Sequence, residues 1–147
     1  MNPSLKSIRW LHVVASSLAV VVASFLVVTL ATTGYAFFLA FEAHGKPDQQ
    51  AIGHFAGTIS RWLMPLSEML FTFLVAMIAT KKIQMVTSVH GILVGIFAGC
   101  LATVLGLGFG AQLDLRMCGS FVLLVGVGFA GGYLGQRQLA KSMSSPA

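Results

Sequence analysis

No charged side chain occurs between Arg9 and Glu42. An uncharged run of that length, Trp10 to Phe41, far exceeds the apolar core of a signal peptide, which is about 7–15 residues. It is also longer than the ~20 residues that a membrane helix needs. The run predicts a first membrane helix over roughly 11–40, which either tilts or projects beyond the hydrocarbon.

Further apolar runs follow. They predict spans over roughly 62–80, 86–111 and 117–136, ended by Lys81 and Lys82, by the segment around Asp114 and Arg116, and by a polar tail over 137–147. Only 9% of the 147 residues are charged, against 56% hydrophobic. A soluble domain carries about 25% charged residues, so lipid must face most of this surface. The expected fold is all-α: one integral membrane domain over 1–147, a four-transmembrane-helix bundle. The short segments after the second and third spans make those helices antiparallel neighbours. No internal repeat is evident.

Between the first two spans lies EAHGKPDQQAIGHFAGTISR. Pro47 and Asp48 suit a helix start. Ile52, Phe55, Ile59 and Trp62 then recur at spacings of three and four, which predicts a short interfacial helix over roughly 48–60 with Arg61 and Trp62 as anchors.

The formal net charge is +5. The basic residues flank apolar runs and form no stripe with interleaved aromatics, which excludes a nucleic-acid partner. Lys6, Arg9, Lys81, Lys82, Arg137 and Lys141 fall on one side of the predicted topology, and Lys46, Arg61 and Arg116 on the other. That bias places both termini in the cytoplasm of a multi-pass protein of the cell membrane, with a bacterial inner membrane as the expected setting.

Glycines at intervals of four mark spans three and four: Gly91, Gly95 and Gly99; Gly106 and Gly110; Gly128 and Gly132; Gly131 and Gly135. Missing side chains let helices approach closely, so these faces predict packing of spans three and four on each other, with an oligomer interface as the alternative.

Glu68 is the one acid inside a span. An ionised carboxylate there is costly, so it should find partners or take up a proton. Thr72 and Arg61 share its helical face, and Tyr35 and Thr32 of span one are expected at a similar depth. The predicted intramembrane polar cluster is therefore Glu68, Tyr35, Thr32, Thr72 and Arg61. It serves either as a protonatable or cation-binding site, or as a structural carboxyl that fixes helix register.

Four histidines add candidate ligands. His12 and His90 fall near matching helix ends and could hold a haem between two axial imidazoles; the plainer reading is interfacial residues with polar tips among headgroups. His44 and His54, with Glu42 and Asp48, have ligand types suited to a metal but match no known spacing. No metal or other cofactor is expected. Cys100 and Cys118 read as small packing residues some 15 Å apart in depth. No nucleophile elbow, zinc-protease helix or phosphate-binding loop occurs, so no catalytic residues are predicted. A non-enzymatic accessory or scaffold subunit is the leading expectation, with the lipid bilayer and a homo-oligomer or another membrane protein as partners. The alternatives are a small oligomeric proton- or cation-coupled transporter or channel using Glu68, and a membrane cytochrome using His12 and His90.

Overall fold

The computed structural model describes residues 10–44, 46–83, 89–108 and 115–143, without the side chains of 81–83, 116 and 140–143. Four helices account for nearly all of them: α1 (Trp10–Glu42), α2 (Gln49–Ile83), α3 (Val89–Gly108) and α4 (Leu115–Met143). Each contains a window long and apolar enough to cross a bilayer, and no strand occurs among the described residues. The chain is a multi-pass membrane protein.

The bundle distributes polarity in the reverse of a water-soluble fold. Its buried polar residues are Ser17, Ser24, Ser67, Glu68, Thr72, Thr80 and His90, while Leu11, Leu30, Phe37, Phe38, Trp62 and Val122 are exposed. Against lipid tails there is no hydrophobic gain in hiding a leucine, so small and polar side chains take the interior. α1 is largely apolar all round, so apolarity alone does not mark its inward face. Val13, Ser17, Val20, Val21 and Ser24 recur at spacings of three, four and one, and all are buried.

Every pair of helices packs except α1 with α4. α2 and α3 therefore meet across the diagonal, with α1 on one side and α4 on the other. Glycines set the closest approaches. A Cβ added to Gly91 would strike the carbonyl oxygen of Gly128 and lie 3.1 Å from Cα of Gly132. One at Gly95 would lie 2.6 Å from the Leu124 carbonyl oxygen, and one at Gly99 would lie 2.7 Å from the Phe121 ring. The glycines of α4 divide between two partners, a refinement of the expected α3–α4 seam. Gly131 and Gly135 face α2 instead, with a hypothetical Cβ 2.6 Å from the Phe73 carbonyl oxygen and 2.7 Å from that of Met77 respectively. Each face stands on a different side of the helix, because one residue step rotates ~100°. Gly106 is half-buried, and Gly110 lies outside the described residues.

Two expectations about the ends of helices are corrected. The stripe over 48–60 is not a separate interfacial helix but the first part of α2, which runs unbroken through Pro65 for 35 residues. Asp48 caps its start: the Gln50 and Ala51 amides donate to Oδ1 at 2.8 and 3.2 Å. Phe55 of the stripe stacks on Tyr35 of α1, with ring centroids 3.9 Å apart and planes at 19°. Since α1 reaches as far as α2, it offers the stripe an apolar neighbour, and helix–helix burial replaces the bilayer surface. Pro65 removes only its own amide from the ladder, leaving the carbonyl of Arg61 without that donor, and the surrounding turns hold the helix. The predicted polar tail also differs, since α4 stays helical to Met143.

At helical rise α2 is about 52 Å long, against ~30 Å of hydrocarbon. The paired far ends of α1 and α2 thus overhang the shorter α3. The turn between them closes on His44, the one non-glycine with positive φ (51°) among the described residues. Its ring Nδ1 lies 3.1 Å from the Glu42 carbonyl oxygen.

Candidate functional site: a polar core around Glu68

The register of α1 against α2 decides which polar groups meet. Tyr35 stacks on Phe55, and at the other end Val13 lines one small cavity with Ala76 and Ala79. Between these fixed points the antiparallel helices bring Ser24 level with Ser67 and Glu68, and Ser17 level with Thr72. Glu68 and Tyr35 are therefore separated by about 20 Å along the helix axes.

The expected cluster is corrected accordingly. Glu68 is 6% exposed and Thr72 is 0% exposed, one turn apart on the inward face of α2. Arg61 is exposed, two turns nearer the overhang. Tyr35 belongs with Phe55, and the Thr32 hydroxyl donates to its own helix, at the Val28 carbonyl oxygen, 3.0 Å away. Because α2 begins at Gln49, Glu68 stands about five turns into the helix.

Most buried hydroxyls are satisfied locally. Ser67 donates to the Met64 carbonyl oxygen at 2.9 Å and Thr80 to that of Ala76 at 2.8 Å. Ser17 lies between two helices, 2.9 Å from the Val13 carbonyl oxygen and 3.2 Å from that of Val94 on α3. Helix serines and threonines in lipid commonly bond back in this way. Ser24 Oγ and Thr72 Oγ1 do not: both are buried without a partner. Among the described residues Glu68 has neither a hydrogen bond nor an ion pair. An acid and two hydroxyls with free valences thus share the middle of the bundle. An ionised carboxylate in such a place needs compensation, so the arrangement suits a carboxyl that takes up a proton or a small cation.

Ser17 and Ser24 carry no weight in a reading of isolated motifs. Their signal is positional, since both sit on the stripe with Val13, Val20 and Val21 that α1 turns inward.

The histidines separate by role. His44 forms the α1–α2 turn and His54 is exposed on α2, while Asp48 is occupied as a helix cap. His90 is 3% exposed, and it shares the cavity beside Val13 with His12 and Ser16. That cavity has a volume of about 10 Å³. A space of that size gives the cytochrome reading no support.

Cys100 and Cys118 are both exposed and line one groove between α3 and α4, together with Thr103, Met117 and Phe121. This corrects the expected 15 Å offset. With Gly95 against Leu124 and Gly99 against Phe121, the antiparallel register brings the two cysteines to nearly the same depth. A short bifunctional thiol reagent is expected to link them within one chain. Trypsin cleavage at Arg116 followed by electrophoresis checks this, since linked fragments stay together. Fragments that separate fully would mean the register is wrong.

Compared with protein-family models, curated proteins and solved structures, the chain matches none of them.

Proposed function

We propose that the protein is a small, non-enzymatic proton- or cation-coupled transporter or channel of a bacterial inner membrane, with both termini cytoplasmic and Glu68 as the group that carries the proton or ion. The observation that supports this reading is Glu68 itself, a residue 6% exposed on the inward face of α2 and without a hydrogen bond or ion pair among the described residues, with the unpaired hydroxyl of Thr72 one turn away and that of Ser24 at a similar level. Intramembrane acids of this kind are costly to keep and mark ion and proton pathways.

Glu68→Gln tests it. Purified protein in liposomes is expected to dissipate an imposed proton or alkali-cation gradient, read with a pH- or ion-sensitive dye, and the Gln variant is expected to lose at least about 10-fold of that rate. Flux that persists unchanged in the variant removes Glu68 from the pathway.

A second reading, an accessory or scaffold subunit, is favoured by the overhang. Phe37, Phe38 and Phe41 are exposed there, Phe41 at 86%. Gly53 and Gly57, four apart on α2, have nothing within 4 Å of a built Cβ. A close-packing face left open suits a second copy or another membrane protein. If neither protein nor variant moves protons or cations, this reading takes precedence.

A further inference from the structure

The cavity beside Val13 is independent of Glu68 and carries its own chemistry. Both ring nitrogens of His90 are buried without a partner. A buried polar group without a partner is costly, so an imidazole placed in this way calls for something to face it. The groups available are convergent: His90 from α3, and His12 and Ser16 from α1, around a space of about 10 Å³. That is near the lower limit for one water-sized body. The remaining wall is apolar, including Val13, Ala76 and Ala79.

Three features of the pocket select the occupant. Neutral imidazoles are its strongest ligands, which suits copper, zinc, iron or nickel ions. No carboxylate lines it, so nothing offsets the charge of a buried ion, and the cost of desolvating an ion grows with the square of its charge. A monovalent ion is therefore strongly preferred. The lining offers two imidazoles and no third strong ligand. Of the imidazole-binding metals, the cuprous ion is monovalent and is stable with two nitrogen ligands in line.

We propose that His12 and His90 form a two-imidazole site for a single Cu(I) ion. One nitrogen of each ring binds the metal. Ser16 lines the same cavity. His12, exposed at the end of α1, provides the entry side, and His90 the buried anchor.

Cys100 and Cys118 are exposed soft ligands and would bind Cu(I) themselves. The test therefore uses the Cys100→Ser, Cys118→Ser double variant as parent, in lipid nanodiscs without oxygen. Cu(I) is titrated in competition with a chromophoric Cu(I) chelator. The parent is expected to retain one copper per chain. His90→Gln and His12→Gln, added singly, should each weaken retention by more than about 100-fold, beyond what loss of an outer-shell partner causes. Should His90→Gln fail to give a monodisperse protein, His12→Gln decides alone, because its ring is not buried. Glu68→Gln in the same parent should bind copper unchanged, which separates this site from the transport pathway. Failure of the parent to hold copper against the chelator, or equal retention in His12→Gln, overturns the site and leaves a single water as the occupant. Tighter binding of Zn(II) than of Cu(I) overturns the assignment of the metal.

Discussion

Gly91→Ala is expected to loosen the α3–α4 pair, whereas Gly126→Ala on the same bundle is expected to stabilise it. By composition the two substitutions are the same: a methyl added to a helical glycine in a membrane span. Helix propensity favours both by roughly 1 kcal/mol. They differ in what the methyl meets. At Gly91 it strikes the Gly128 carbonyl oxygen and crowds Cα of Gly132 at 3.1 Å. These are backbone atoms that cannot rotate away, so the helices must separate, and Gly95 loses its approach to Leu124 with them. Overpacking of this kind costs ~1–3 kcal/mol, more than the propensity returns. At Gly126 a Cβ has nothing within 4 Å, so the propensity term stands alone. Gly99→Ala should fall between the two, because its neighbour at 2.7 Å is the Phe121 ring, which can turn. Reversible unfolding in mixed micelles, or thermal melting by size exclusion, measures the series. Equal stabilities for Gly91→Ala and Gly126→Ala would mean that α3 and α4 do not touch along this face.

Glu68→Leu is expected to stabilise the fold by about 1–3 kcal/mol while removing gradient-driven flux. Replacing an uncompensated buried charge or polar group by an apolar side chain of similar volume is commonly stabilising. Glu68 fits that case, being 6% exposed with no hydrogen bond or ion pair among the described residues. A carboxyl that fixed helix register would behave oppositely, since its loss would strand its partners. The same unfolding assay separates the two roles. A Leu variant that unfolds more readily than the parent would mean that Glu68 is a structural residue. Thr72→Val, nearly isosteric and equally buried, should shift stability in the same direction by less, because its free Oγ1 is neutral.

Much of this architecture is legible without coordinates. The uncharged run from Trp10 to Phe41 is incompatible with a water-facing helix. The remaining apolar runs require three more spans. Inside lipid each span must satisfy its own backbone, which leaves helix as the only open choice. The glycine intervals announce close packing for a similarly local reason, since no side chain stands in the way.

Depth and partnership are another matter. The stripe Ile52, Phe55, Ile59 looks the same whether it lies on headgroups or on another helix. Only the presence of α1 alongside, with Tyr35 against Phe55, makes it the start of one long α2. With that register come the position of Glu68 along α2, the exchange of Tyr35 and Thr32 for Ser24 at its level, and the separation of Arg61. Likewise Gly128 and Gly131 look like members of one pattern, yet they serve different partners. Cys100 and Cys118, distant along the chain, come to one groove. Spans arise from transfer of each segment between water and lipid, a local property that residue types determine. Register arises from which surfaces fit between helices of equal greasiness, and that is decided only when the four are packed together.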